Sequence, residues 1–258
     1  MRRIVMSALL LLPAMALAGS AFDGTWKTRL DSIKITGKAD QFQVLNGDYT
    51  CSSCEPAIKV KADGTDQSVT GHAYYDTIAV VVVSPSSIKI IDKQGGKLVF
   101  TVAYDVSTDG NTLTGKFEDH TGSTVATGSF TETRRAAAAP GSHRVSGAWQ
   151  PGPLSDANDT TRTVAYQMTS EQFSMHWNGQ SYNAKFDGKP YPVQNDPGKT
   201  TVTLKRVDDH TVEETDHRLG KVTDEIHLAA AKDGKTIEVT DNDVIHHQIT
   251  TYTLDKQQ

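Results

Sequence analysis

The sequence predicts an all-β fold of two tandem antiparallel up-and-down β-barrels, with about 8–9 strands each. Helical periodicity is nearly absent, and short β-rich runs are separated by turn pairs such as Asn178-Gly179 and Asp233-Gly234. Connections this short make neighbouring strands antiparallel, and a long meander hides its edges by closing on itself. A β-sandwich is the alternative, but it would need longer crossovers than the sequence offers.

The N-terminus has the features of a secretory signal peptide. Arg2 and Arg3 precede an apolar run, and Ala16-Leu17-Ala18 fits the small-x-small pattern of a cleavage site. We therefore expect residues 1–18 to be removed after about Ala18, and the protein to be periplasmic or secreted. A short membrane anchor is the alternative, although anchors usually contain about 20 apolar residues. We expect no transmembrane segment in the mature chain.

The charge is mildly acidic and dispersed. The formal net charge is −5 for the whole chain, and it becomes −7 when Arg2 and Arg3 are removed with the signal peptide. A nucleic-acid partner would require a clustered basic face, which the sequence lacks. We therefore expect no nucleic acid and no anionic membrane surface as a partner.

The chain contains an internal repeat. Residues 107–119 match residues 231–243 at a constant offset of 124, and the Gly-x-Trp at 24–26 matches that at 147–149 at an offset of 123. A repeat of this length corresponds to a small domain rather than to a solenoid unit. The predicted organisation is a barrel domain at 20–134, a linker rich in small residues at 135–144, and a second barrel domain at 145–258.

The two cysteines of the chain, Cys51 and Cys54, form a Cys-x-x-Cys pair. The offset of 124 maps them to Met175 and Asn178, so the second copy makes the same turn without cysteine. We therefore expect a structural disulfide that braces the turn in an exported protein. Two alternatives remain open: a redox-active pair, which normally lies at a helix N-terminus, and a metal site, which needs further ligands.

A Gly-x-Trp on the first strand of a barrel of about 110 residues resembles the lipocalin and calycin superfamily, and the pair of copies resembles tandem lipocalin-like domains of exported bacterial proteins. The resemblance implies that Trp26 and Trp149 close the narrow ends of the barrels. It also implies a basic residue of the last strand over each ring, for which Arg134 and Lys256 are the candidates. The Thr-Asp-Tyr turn of lipocalins is absent from this sequence.

Comparison of the two copies indicates a candidate ligand site in the second one. If the differing positions face inward, the second barrel has polar groups of the kind that orient a small molecule. Three replacements carry this prediction: Arg206 for Val82, Glu214 for Ile90, and Asp224 for Phe100.

The alternative is that these charges form exposed cross-strand ion pairs. In that interpretation Arg206 lies opposite Glu213, and Lys205 lies opposite Glu214. A shift of the strand register by one residue would exchange the two faces, so the sequence does not decide between them.

No catalytic motif is recognisable. The sequence has no Gly-x-Ser-x-Gly elbow with a paired base, the carboxylates show no pairing typical of glycosidases, and adjacent His246 and His247 would point to opposite faces of a strand. We therefore predict no catalytic residues, no metal and no cofactor. We favour a binding protein over an enzyme. The expected function is to bind or carry a small apolar or amphipathic molecule in the periplasm. The alternative is a structural or interaction module of the cell envelope with filled barrels.

Overall fold

The computed structural model describes residues 19–258, which form 21 strands and one four-residue α-helix. The predicted signal peptide, residues 1–18, lies outside the described residues. No helix within residues 19–258 is long and apolar enough to cross a membrane. In the first half of the chain the strands are β1 Gly24–Thr28, β2 Lys34–Gly37, β3 Asp40–Leu45, β4 Asp48–Cys51, β5 Ile58–Lys61, β6 Gln67–Ser68, β7 Thr77–Ser84, β8 Ser87–Gln94, β9 Lys97–Val106, β10 Thr112–Asp119 and β11 Ala126–Ala137. In the second half they are β12 Gly147–Ala157, β13 Thr163–Met168, β14 Gln172–Trp177, β15 Gln180–Lys185, β16 Tyr191–Pro192, β17 Thr201–Arg206, β18 Thr211–Arg218, β19 Lys221–Ala230, β20 Thr236–Asp243 and β21 Gln248–Lys256, with α1 at Asp159–Arg162.

The strands form two antiparallel barrel-like sheets, which confirms the predicted fold class. The first barrel has the order β5-β4-β3-β12-β11-β10-β9-β8-β7-β6. The second barrel has the order β15-β14-β13-β1-β21-β20-β19-β18-β17-β16, and β2 pairs with β21 beside this path. Each path contains ten strands rather than eight or nine, because each ends in a two-residue strand, β6 or β16, that the sequence pattern does not reveal.

Both sheets nearly close on themselves. In the second barrel, Ser181 and Gln194 exchange two backbone hydrogen bonds of 2.7 and 3.3 Å, which joins the two end strands. In the first barrel, the Gly64 N–H after β5 donates to the Val80 carbonyl of β7 at 3.0 Å. These contacts cover the sheet edges that would otherwise remain exposed.

The first strand of the chain belongs to the second barrel. β1 lies between β13 and β21, and Trp26 is opposite Val164 on one side and Lys256 on the other. The second barrel is therefore built from strands within 24–37 together with strands within 163–256.

The strand that begins the second repeat correspondingly belongs to the first barrel. β12 lies between β3 and β11, with Trp149 opposite Asp40 and Arg134. The first barrel is thus built from residues 40–157 alone, and it is inserted between β2 and β13 of the other barrel.

The two sheets therefore do not coincide with the two repeats, 20–134 and 145–258. The first strand of each repeat, β1 or β12, lies in the sheet of the other repeat. A short connection joins β11 to β12, so these two strands pair as an antiparallel hairpin. With β12 in the first barrel, the equivalent place in the second barrel is taken by β1. A repeat shows which segments are equivalent, but it cannot show which of two similar sheets a segment joins.

Each barrel contains a fully buried tryptophan, Trp149 on β12 in the first barrel and Trp26 on β1 in the second. The indole N–H of Trp26 donates to the Phe22 carbonyl, and that of Trp149 donates to the Val145 carbonyl, each at 2.8 Å. A buried indole requires such a partner, and the two tryptophans use the same one four residues upstream.

A basic side chain lies over each tryptophan ring. The Arg134 guanidinium is 3.9 Å from the ring centroid of Trp149, and the Lys256 ammonium is 5.3 Å from that of Trp26. These are cation–π distances. Because the first strands are exchanged, each tryptophan meets the basic residue of the other repeat.

The cysteine pair lies at the end of β4. The Cys51 and Cys54 sulfur atoms are 2.01 Å apart, so the two residues are joined across the turn. The second barrel makes the equivalent turn with Asn178 and Gly179, which have φ angles of 46° and 82°. Both angles are in the left-handed region that a tight hairpin turn requires.

Candidate functional site

Aromatic rings pack against one another in the first barrel. Phe100 and Phe117 stack with their centroids 6.0 Å apart, and Phe117 lies 6.4 Å from Phe130. Tyr104 continues the series, 6.1 Å from Phe130. A cavity of about 380 Å³ lies beside these rings and is lined by Phe100 and Asp92.

The second barrel has carboxylates in place of two of these rings. Phe100 pairs with Asp119 between β9 and β10, and Asp224 pairs with Asp243 between β19 and β20, so Asp224 occupies the position of Phe100. The same offset of 124 places Asp241 at the position of Phe117. Two bulky apolar side chains are therefore replaced by two short acidic ones.

Four carboxylates converge in the second barrel, and we call them the acidic cluster: Glu214, Asp216, Asp224 and Asp241. Glu214 and Asp216 are alternate residues of β18, so they share a face of the strand. Asp224 lies directly opposite Asp216 on β19. Glu214 is only 7% exposed, and the side chains of Asp216 and Asp224 are 13% and 16% exposed.

Burial raises the pKa of three carboxyl groups of the acidic cluster, Glu214, Asp216 and Asp241. Burial, followed by the charge of Asp216, raises the pKa of Glu214 well above its usual range. Burial also raises the pKa of Asp216 to about 6 and that of Asp241 to about 7. The Tyr182 hydroxyl donates to Glu214 Oε2 at 2.5 Å. The Oδ1 atoms of Asp216 and Asp241 are buried and have no hydrogen-bond partner among the described residues.

Arg218 is the cation of the acidic cluster. Its Nη1 lies 3.0 Å from Asp224 Oδ2, within ion-pair distance although not aligned for a hydrogen bond, and its Nη2 lies 3.6 Å from Asp216 Oδ2. Its Nε donates to Thr200 Oγ1 at 2.9 Å, and its guanidinium lies 5.5 Å from the ring of Tyr74, which belongs to the first barrel. One guanidinium thus faces several carboxyl groups and connects the cluster to the other barrel.

The acidic cluster borders two cavities. One of about 270 Å³ lies inside the second barrel, where Glu214 and Asp216 meet apolar and aromatic walls that include Tyr166, Met175 and Ile226. The other, of about 430 Å³, lies between the barrels and is lined by Asp224 and Arg218 together with residues of the first barrel such as Tyr74 and His72. The cluster can therefore offer acidic oxygens to both spaces.

The structure brings together two of the three residues that the sequence analysis selected. Glu214 and Asp224 lie in the acidic cluster, whereas Arg206 does not. Arg206 Nη1 donates to the Ser170 carbonyl at 3.2 Å, and Nη2 pairs with Asp209.

The exposed ion pair considered as an alternative forms one residue away from the expected position. Lys205 is opposite Glu213 with Nζ and Oε2 2.9 Å apart, and Leu204 is opposite Glu214. This register directs Glu213 outward and Glu214 inward.

The sequence comparison missed Asp216, Asp241 and Arg218. Asp241 and Arg218 replace Phe117 and Gln94, so both differences were visible at the offset of 124. Asp216 could not have been found in this way, because the first copy also has an aspartate there, Asp92. That residue is 8% exposed, and burial raises its pKa to about 7.

The side chains present favour binding through hydrogen bonds and charge. Within residues 19–258, no group of three or more His, Cys, Asp or Glu side chains is placed to hold a metal ion. The acidic cluster combines acceptors, protonated acids and one guanidinium beside apolar walls, which is the composition of many small-molecule pockets.

Comparisons with protein-family models, with curated proteins and with solved structures find no match to this chain. Arguments about its function therefore depend on its own residues.

Proposed function

We propose that the chain is an exported lipocalin-like binding protein that holds a small amphipathic molecule in the cavity of the second barrel. The observation that carries this proposal is the replacement of the Phe100 and Phe117 positions by Asp224 and Asp241. Glu214 and Asp216, which belong to the same acidic cluster as these two aspartates, line a cavity of about 270 Å³ inside the second barrel.

Buried oxygen atoms without hydrogen-bond partners support the proposal that a ligand binds here. A buried polar atom without a partner costs about 1–3 kcal/mol. Asp216 Oδ1 and Asp241 Oδ1 are two such atoms in the acidic cluster. A ligand with hydrogen-bond donors at one end would supply a partner to Asp216, which lines the cavity, and its apolar body would lie against Tyr166, Met175 and Ile226.

The size of the space agrees with a small ligand. Ligand pockets usually measure about 300–1,000 Å³, and the cavity inside the second barrel is just below this range. The neighbouring cavity of about 430 Å³ adjoins the same acidic cluster through Asp224 and Arg218. A longer molecule would extend from the barrel into the space between the barrels.

The alternative, a structural module with a filled interior, is favoured for the first barrel alone. Its stacked rings Phe100 and Phe117 occupy the positions at which the second barrel has Asp224 and Asp241. We propose a division of roles in which the first barrel is mainly a folded support and the second one binds the ligand.

The experiment uses N-phenyl-1-naphthylamine, a neutral amphipathic dye whose emission rises in an apolar pocket. We expect the mature protein to take up the dye, and the double variant Asp224→Phe/Asp241→Phe to lose at least tenfold in affinity, because it restores the two rings of the first barrel. Glu118→Gln, on the exposed side of β10, is the matched control and should bind like the native protein. Equal dye binding by the native protein and the double variant would refute the proposal.

Export is tested separately. We expect the protein recovered from the periplasm of a bacterial host to have the intact mass of a chain that starts at Gly19. A full-length mass in the cytoplasmic fraction alone would refute this part of the proposal.

A further inference from the structure

A further cavity, of about 380 Å³, lies where β2 leads into the first barrel, and we call it the junction cavity. It is lined from one side by Ile33, Ile35 and Tyr252 of the second barrel, and from the other by Phe130 and Glu132 of the first. Tyr252 also lines the cavity inside the second barrel, so it forms the wall between the two spaces.

Glu132 is a buried acid without a partner in the junction cavity. The residue is 3% exposed, and its Oε2 has no hydrogen-bond partner among the described residues. It lies opposite Leu113 on β10, and the equivalent position of the second barrel, opposite Ile237, is Leu254. The fold itself therefore accepts a leucine here, and the acid needs another explanation.

A second carboxylate, Asp40, lines the same cavity. Burial, and then the charge of Asp40, raises the pKa of Glu132 to about 8. Gln248 Nε2 donates to Asp40 Oδ1 at 3.2 Å. The described lining residues include no lysine, arginine or histidine.

The nearest basic side chain of the same strand is already engaged. Arg134 donates to the backbone carbonyls of Gly110 at 2.6 Å and Ser146 at 2.7 Å, and it lies over Trp149. It therefore contacts the buried tryptophan of the barrel rather than the junction cavity. The two acids of the cavity are left without a basic partner among its lining residues.

We propose that the junction cavity binds a hydrophobic primary amine, with its ammonium group between Glu132 and Asp40 and its chain against Ile33, Ile35 and Leu154. An ammonium has three donors, which suit the unpaired Glu132 Oε2 and the Asp40 carboxylate. It also supplies the positive charge that the lining lacks, in a position shielded from water. The apolar wall favours the alkyl chain because it removes apolar ligand surface from water.

Binding involves no covalent step. The ligand enters as an ammonium ion, and a Glu132 that carries a proton releases it to the solvent as the ion pair forms. The number of protons released is therefore a measurable consequence of the pairing.

The test is isothermal titration calorimetry of the mature protein at pH 7 with three eight-carbon probes: octylamine, octanol and octanoate. We expect octylamine to bind at least tenfold more tightly than octanol, and octanoate to show no binding. Glu132→Leu should weaken octylamine at least tenfold, and Glu132→Gln should do the same with the side-chain shape kept. Glu118→Leu, an exposed acid on the neighbouring strand β10, is the matched control.

The same variants separate this inference from the function proposed for the second barrel. Glu214→Ile introduces the residue of the first copy into the acidic cluster, and it should leave octylamine binding at the junction cavity unchanged. If octylamine binding were lost in Glu214→Ile and retained in both Glu132 variants, the amine site would be in the second barrel, and the junction proposal would be wrong. Equal affinity for the three probes would also overturn it. Thermal melting confirms that each variant is folded.

Discussion

On β9 and β10 of the first barrel Phe100 and Phe117 stack, whereas on β19 and β20 of the second barrel the same positions are Asp224 and Asp241. The surroundings of the buried tryptophans differ far less, because both barrels have a buried tryptophan bonded to a carbonyl and covered by a basic side chain. The copies thus differ at these positions of β9 and β10 and of β19 and β20, and they agree in the contacts of the buried tryptophans. The contacts of the buried tryptophans are therefore common to both barrels, whereas the side chains at these two positions differ in size and charge.

The buried acids sharpen this comparison. The two barrels have an aspartate at equivalent positions, Asp92 on β8 in the first and Asp216 on β18 in the second. Burial raises the pKa of both carboxyl groups. In the second barrel this acid is joined by Glu214, Asp241 and Arg218, whereas the first has Ile90, Phe117 and Gln94 there. A single buried acid has become part of a cluster.

The largest expected effect concerns the exchanged strands. Replacing Trp26 or Trp149 by alanine should each lower the free energy of unfolding by about 3–5 kcal/mol, because a fully buried ring is lost. Hydrogen exchange should show that Trp26→Ala loosens residues 163–256, although Trp26 belongs to the first repeat. Loss of protection confined to residues 40–157 in this variant would contradict the strand exchange.

The pH dependence of stability is the next largest effect. Asp216 and Asp241 have pKa values of about 6 and about 7 in the folded chain, above those of the unfolded chain, so the folded state binds more protons between about pH 4 and pH 7. Stability should therefore fall as pH rises through this window, by up to about 1.4 kcal/mol per pH unit for each group.

Chemical denaturation at several pH values measures this slope. Asp216→Asn/Asp241→Asn should make the slope less steep, with Glu214, Asp92 and Glu132 responsible for the remainder, and Glu118→Gln, which changes an exposed acid, should leave the slope unchanged. An unchanged slope in the asparagine variant would show that these two groups do not cause it.

Replacing aspartates of the second barrel by the phenylalanines of the first should have a smaller effect on the free energy of unfolding, and this effect should be stabilising. We expect Arg218→Gln/Asp224→Phe/Asp241→Phe, which introduces the first-copy residues and leaves no unpaired guanidinium, to raise the free energy of unfolding at pH 8 by about 1–3 kcal/mol, because buried charged groups are exchanged for packed rings. Urea denaturation at pH 8 measures the change. A loss of stability would show that the second barrel cannot adopt the packing of the first.

The smallest effect is expected at the cysteine pair. Cys51→Ser/Cys54→Ser opens a very short loop, so the loss should be about 2 kcal/mol or less. Thermal melting of the oxidised protein and the variant gives this difference. The second barrel makes the same turn with Asn178 and Gly179, so a complete failure to fold would contradict the equivalence of the two turns.

Much of the fold could be predicted from local signals. Turn pairs such as Asn178-Gly179 and the offset of 124 indicate short antiparallel strands in two copies, and the structure confirms a tandem all-β barrel fold. The placement of β1 and β12 could not be predicted in the same way. Each strand is compatible with two similar sheets, and the choice depends on long-range pairing rather than on the pattern within the strand.

The candidate site was predictable in part for a similar reason. Glu214 and Asp224 differ from apolar residues of the first copy, so a comparison of the copies reveals them. Arg206 differs as well, but it lies near the end of β17, where its partner is Asp209. A substitution shows that a position has changed, and only the strand register shows which way the side chain faces.

The most direct test of the central claim is native mass spectrometry of the exported protein, followed by extraction under denaturing conditions. The account predicts a reproducible additional mass on the native chain and on Glu132→Leu, and its absence from Asp224→Phe/Asp241→Phe. If the same additional mass persisted on Asp224→Phe/Asp241→Phe as well as on Glu132→Leu, the ligand would lie outside both the acidic cluster and the junction cavity, which would contradict the account.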